Sequence, residues 1–132
     1  MKSIEIDIVV IGSGPGGYAA AFYAADRGKK VIMVEKDEKL GGVCLNVGCI
    51  PSKAYLHVAK LIHEAQESDF RGITFGKAKL DLNKMRAWKN SITGKLAGGV
   101  TTLAKSRGVE VMYGRGYFED SKTLRVETKE GQ

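Results

Sequence analysis

Ile8-Val9-Val10-Ile11-Gly12-Ser13-Gly14-Pro15-Gly16-Gly17 decides the fold of this chain. Consecutive β-branched residues predict a strand buried on both faces, running from Ile4 to Ile11. Gly12, Gly14 and Gly17 then complete a G-x-G-x-x-G pattern. Gly12 serves a tight turn, Gly14 lets backbone approach a pyrophosphate, and Gly17 lets a helix pack close to the strand. Tyr18 to Arg27 is alanine-rich and helical, and Gly28 stops it. Val31 to Val34 predicts a second strand that ends in Glu35. This β-α-β unit points to a parallel α/β fold of Rossmann type. The helix start offers free N–H groups and a positive dipole end to phosphates. Glu35 follows Gly17 by 18 residues, where a carboxylate would accept ribose hydroxyls.

The next segment is Gly41-Gly42-Val43-Cys44-Leu45-Asn46-Val47-Gly48-Cys49-Ile50-Pro51-Ser52-Lys53. It holds both cysteines of the chain. A disulfide needs Cα atoms about 4.4–6.8 Å apart. On a regular helix, residues five apart point about 140° away from each other, so the pair requires a broken helix. Asn46 and Gly48 tolerate unusual backbone angles. Pro51 favours an extended Ile50 and suits a new helical turn. Other readings are two inert buried thiols, or a zinc site completed by His57 and His63. The thioredoxin-type Cys-x-x-Cys is absent. The glycine pattern alone does not separate FAD from NAD. The cysteine loop does, because a flavin has a use for a fixed dithiol beside its binding strand.

Beyond this loop a helix is expected from about Ser52 to Ala65, with Leu56, Ala59, Ile62 and Ala65 on one face. Residues 69–79 read as loop. Asp81 is placed to cap a long helix. Its apolar stripe, Leu82, Met85, Trp88, Ile92, Leu96, Val100 and Leu103, is expected in the core. Val109 to Met112 reads as a third core strand. Phe118 to Leu124 reads as a turn between two short strands.

The 132 residues suffice for one small domain, and 43% hydrophobic content with 17 glycines fits α/β. Net charge is +6, but the 21 basic residues are scattered, with no basic run interleaved with aromatics. Nucleic-acid binding is therefore not expected. No secretory signal or membrane span is visible, so a cytoplasmic location is expected. A reducing compartment also suits a chain with few cysteines.

From Glu35 through Lys53, and on through Ala54 to Lys60, Trp88, Gly98-Gly99 and Gly114 to Phe118, the chain resembles bacterial dihydrolipoamide dehydrogenases. That family lies within the pyridine nucleotide-disulphide oxidoreductases. Ile50-Pro51-Ser52-Lys53 leans towards the lipoamide branch. Val43 stands where many relatives carry threonine.

The resemblance implies an incomplete N-terminal FAD-binding domain spanning residues 1–132, without the NAD-binding, central and interface domains. It implies oxidation of protein-bound dihydrolipoyl groups, with electrons passing through a Cys44–Cys49 disulfide and FAD to NAD. Cys44 would be the interchange thiol and Cys49 the thiolate nearer the flavin. Lys53 would sit near the flavin N5 edge, and Gly116 against the adenosine half. The nucleotide loop Gly12, Ser13, Gly14, Pro15, Gly16 and Gly17 would cradle FAD, with Glu35 and Lys36. Gly41, Gly42, Val43, Cys44 and Cys49 would line its other end. The implied partner is the lipoyl domain of a 2-oxo acid dehydrogenase complex, and the implied parent is a homodimer. Alternatives are another disulfide reductase, such as mercuric or glutathione reductase, or a non-catalytic nucleotide-binding fragment. The 132 residues alone are expected to be inactive.

Overall fold

The computed structural model describes residues 3–129. The elements run β1 (Ile8–Ile11), α1 (Pro15–Asp26), β2 (Val31–Glu35), α2 (Gly42–Asn46) and α3 (Cys49–Gln66). A 3-10 turn at Glu67–Arg71 follows, then α4 (Leu82–Ser106), β3 (Glu110–Tyr113), β4 (Arg115–Phe118) and β5 (Leu124–Glu127). β2 lies at the centre of a parallel sheet of order β1-β2-β3. Ile8 faces Val31 across one seam and Glu35 faces Tyr113 across the other. β4 and β5 form a separate antiparallel pair, with Arg115 opposite Glu127. This is the expected Rossmann-like parallel architecture with a small antiparallel excursion.

The core is built around β2, all of whose residues are buried. Ala21 of α1, Leu40, Leu45 of α2, and Ala97, Val100 and Ala104 of α4 close over Val31 and Met33. Val109 joins them at the entrance to β3. α1 starts at Pro15, earlier than expected. Proline is well suited there, since its fixed φ is helical and its missing N–H would have no partner. Gly28, at φ +77°, ends the turn that follows.

Several expectations are corrected. β1 begins at Ile8 rather than Ile4, and Ile8 and Ile11 are exposed. Its outer edge carries no further strand among the described residues. α4 does form, and Asp81 accepts from the Asn83 and Lys84 amides at 3.0 Å, as a cap should. Of the expected stripe Val100 is buried and Met85 and Ile92 are half-buried, while Thr93, Ala97 and Ala104 complete the buried face. Leu82, Trp88, Leu96 and Leu103 stay exposed. The two stripes are adjacent on the helix, and the small residues are the ones that allow close approach to the sheet. Leu56 of α3 is likewise exposed.

These open features carry an expectation. The β1 edge and the exposed apolar stripe on α4 offer surfaces for pairing between chains. The isolated 132-residue chain is expected to self-associate or to unfold with weak cooperativity. Sedimentation analysis with thermal unfolding checks this. A monodisperse monomer with a sharp transition in the absence of added flavin would contradict it.

Candidate functional site

The site forms where β1 and β2 end. Gly12 has φ +92°. Its N–H donates to the Val34 carbonyl at 2.7 Å, which carries the sheet one residue past β1. Gly14 is the N-cap of α1, and no side chain caps that end. A Cβ placed on Gly14 would meet nothing within 4 Å, so the space before the helix is free for a ligand. A Cβ on Gly17 would instead overlap the Gly12 carbonyl oxygen. Gly17 thus permits the close passage of helix and strand.

The cysteine loop folds back onto this cradle. Gly41 donates its N–H to the Ser13 carbonyl at 3.0 Å. Gly42 takes φ +63°, and a Cβ there would lie 2.6 Å from Gly14 Cα. The turn that launches α2 is therefore packed directly against the nucleotide loop. Cys44 lies in α2 and Cys49 begins α3, with Val47 and Gly48 between the helices. This break brings the Cα atoms within 4.7 Å, and the two residues form a disulfide. The five-residue α2 and the first turn of the 18-residue α3 replace the expected loop.

The means of closure differ from the expectation. No residue other than glycine has positive φ among the described residues, so Asn46 is not in an unusual conformation. It works through its side chain, whose amide donates to the Leu40 and Gly42 carbonyls, both at 3.0 Å. Gly48 is needed for space, since a Cβ there would come 3.0 Å from the Val43 oxygen. Ile50 is helical rather than extended. Pro51 lies in the first turn, where its ring has no preceding helical carbonyl to strike.

A cleft of about 570 Å³ opens over the ends of β1 and β2. Gly12, Ser13, Gly14, Glu35 and Lys36 line it, with Gly42, Val43 and Gly116. Pro15, Gly16, Gly17, Gly41, Cys44, Cys49 and Lys53 do not line it. Lys53 is exposed on α3, one turn beyond Cys49. Cys49 is exposed and Cys44 half-buried. Asp37, Gly114, Arg115 and Tyr117 also line the cleft and were missed. The signal for the last three was the Gly114-Arg115-Gly116 run directly after β3. Gly114 donates its N–H to the Glu35 carbonyl at 2.8 Å, which folds β4 over the cleft. His57 and His63 sit exposed on α3, and His63 pairs with Glu67 at 3.2 Å.

Glu35 is buried and hydrogen-bonded through both carboxylate oxygens. Its Oε2 accepts the Ser13 N–H at 2.9 Å and the Ser13 hydroxyl at 2.5 Å. Its Oε1 accepts the Asp37 N–H at 2.9 Å. Burial pushes its carboxyl up. Hydrogen bonds from the Ser13 hydroxyl and the Asp37, Ser13 and Lys36 amides outweigh this and hold it below the ordinary 4.5. A lowered folded value means that the stabilisation is complete above the ordinary value and is lost as pH falls through the folded one. The stability advantage of wild type over Glu35→Gln is thus expected to be constant above about pH 5 and to shrink in more acid solution. Unfolding midpoints for both proteins across this range check it. An advantage unchanged down to about pH 3 would contradict the assignment.

No helix among the described residues is long and apolar enough to cross a membrane. The pyridine nucleotide-disulphide oxidoreductase family model matches residues 6–132. The chain is 49% identical over 131 residues to a dihydrolipoyl dehydrogenase of Vibrio cholerae serotype O1, covering 99% of this chain and 28% of that protein. It is 48% identical over 130 residues to the Haemophilus influenzae enzyme of that name, covering 98% of this chain and 27% of that protein. It is 51% identical over 123 residues to the Bacillus subtilis one, covering 93% and 26%. The chain therefore spans little more than a quarter of the length of these relatives. With the disulfide, the glycine cradle and this match in agreement, the chain belongs to the pyridine nucleotide-disulphide oxidoreductase family.

Proposed function

We propose that residues 1–132 are the FAD-binding part of a dihydrolipoyl dehydrogenase. The observation that carries this reading is the packing of the disulfide loop onto the nucleotide cradle, Gly42 against Gly14 and Gly41 on Ser13. One extended dinucleotide can then have its ribose near Glu35, its phosphates before α1 and its flavin towards the cysteines. The free space at Gly14 and the uncapped start of α1 fit a pyrophosphate. Gly116 would lie along the adenosine half. Lys53 would bring positive charge towards the flavin and favour a nearby thiolate. Bound FAD would supply the two-electron relay from the cysteine pair to NAD.

The cysteine pair itself carries out disulfide exchange. A thiolate of a dihydrolipoyl group attacks Cys44 Sγ, and the Cys44–Cys49 bond breaks with Cys49 leaving as thiolate. The second dihydrolipoyl thiol, as it loses its proton, displaces Cys44. That proton passes to the Cys44 sulfur, so the substrate becomes a cyclic disulfide and the cysteines become a Cys44 thiol and a Cys49 thiolate. The partner is the lipoyl domain of a 2-oxo acid dehydrogenase complex. The parent protein works as a homodimer in the cytoplasm.

The nicotinamide site and the base for turnover are not supplied by the described residues. Adding dihydrolipoamide to the oxidised chain should therefore reduce the disulfide once, without catalytic NADH production. Thiol release followed with NADH absorbance tests this. Sustained NADH formation by the chain, free of any longer enzyme, would overturn the assignment of roles, and so would a disulfide that dihydrolipoamide leaves intact.

A further inference from the structure

Opening the Cys44–Cys49 bond removes the covalent link between α2 and α3, and the two helices differ in what then holds them. α3 has 18 residues, with Pro51 and Ala54 buried. The Ser52 N–H donates to the Gly48 carbonyl and the Ser52 hydroxyl to the Cys49 carbonyl, both at 3.0 Å. Cys49 therefore keeps its place without the disulfide. α2 has only five residues, and a helix so short has no stability of its own. Buried Leu45 anchors its middle. Its start is tied by the Gly41 N–H on the Ser13 carbonyl. Its end depends on Asn46.

Asn46 is half-buried and stands between the two cysteines. A carboxamide has two N–H donors. Those of Asn46 reach back along α2 to the Leu40 and Gly42 carbonyls, each at 3.0 Å. The side chain thus ties residues 40–46 into a closed loop that carries Cys44. In the oxidised chain this tie and the disulfide favour the same geometry. In the reduced chain the tie remains and the covalent bond does not.

We propose that Asn46 is a positioning residue for the dithiol state. It holds Cys44 facing Cys49 after the disulfide has opened, and so sets the redox equilibrium of the pair. The proposal rests on the disulfide-exchange reading above and adds a residue that acts through the backbone of α2. Without the tie, the reduced loop can relax into conformations that the disulfide denies to the oxidised chain. The reduced form gains and the bond becomes easier to open. A tie that served stability alone would lower the unfolding midpoints of both redox forms and leave their equilibrium unmoved.

The test equilibrates the 132-residue chain with mixtures of dihydrolipoamide and lipoamide and reads the reduced fraction by thiol alkylation and mass. The exchange balances without another reagent. The dihydrolipoamide thiolate gives two electrons to the Cys44–Cys49 bond, its second thiol gives a proton to Cys44, and it closes to the cyclic disulfide. Asn46→Ala should shift the equilibrium constant towards the reduced chain by about tenfold, the scale of freeing the backbone of one residue. In a two-electron couple that is about 30 mV. Asn46→Leu, which keeps the bulk and lacks both donors, should shift it likewise. Asp81→Ala is the control, since it removes the cap of α4 and leaves the cysteine loop untouched. It should lower stability and keep the constant within about twofold of wild type. Equal constants for wild type and either folded Asn46 variant would overturn the proposal. So would a shift of the same size in Asp81→Ala. If Asn46→Ala does not fold, Asn46→Leu decides. If neither folds, Asn46 serves the whole chain and the proposal fails. A wild-type disulfide that dihydrolipoamide leaves intact would instead overturn the disulfide-exchange reading itself.

Discussion

Gly17→Ala is expected to cost the chain about 3 kcal/mol or more and to remove nucleotide binding with it. The added Cβ would overlap the Gly12 carbonyl oxygen and stand 3.6 Å from Val10 Cγ1. The first of these is backbone and cannot rotate away. Relief requires the first turn of α1 to lift off β1, which dismantles the phosphate cradle. Gly16→Ala is the control, since a Cβ there meets nothing within 4 Å and φ is not positive. Thermal unfolding and nucleotide titration of the two variants check the contrast. Equal stability of Gly17→Ala and Gly16→Ala would show that the close crossing is not what the third glycine serves.

Cys49→Ser is expected to abolish electron uptake completely. Two electrons enter this chain by breaking the Cys44–Cys49 bond, and one remaining sulfur has no bond to break. The oxidised wild-type chain should take up one equivalent of dihydrolipoamide and expose two titratable thiols. Cys49→Ser should take up none and show its single Cys44 thiol from the start. Stoichiometric thiol titration with intact mass measures both. Comparable consumption of dihydrolipoamide by the variant would mean that the redox centre lies elsewhere.

The β-α-β unit, the role of Gly17 and the proximity of the cysteines were legible because each rests on local constraints. A strand of β-branched residues, a glycine spacing and a short loop leave few solutions. The face of α4 was not legible. Thr93-Ala97-Val100-Ala104 and Leu82-Trp88-Leu96-Leu103 are adjacent stripes, and hydrophobicity alone favours the bulkier one. Close packing on the sheet selected the smaller. The action of Asn46 was misjudged for a related reason. Asparagine often serves turns through its backbone, but here its side chain spans the Leu40 and Gly42 carbonyls. The engagement of Glu35 by Ser13 joins positions 22 residues apart. No local pattern in the sequence reports such a bond.

The central claim is that one cofactor occupies the cleft between the glycine cradle and the cysteine loop. Titration of FAD into the oxidised 132-residue chain, for wild type and Gly14→Val, tests it most directly. Gly14 has extended backbone, with φ −67° and ψ −179°, and open space beside it. The variant should therefore fold while its side chain fills the pyrophosphate position. The account predicts one FAD per wild-type chain and none on the folded variant. Equal binding by both proteins, or no binding by wild type, would contradict it.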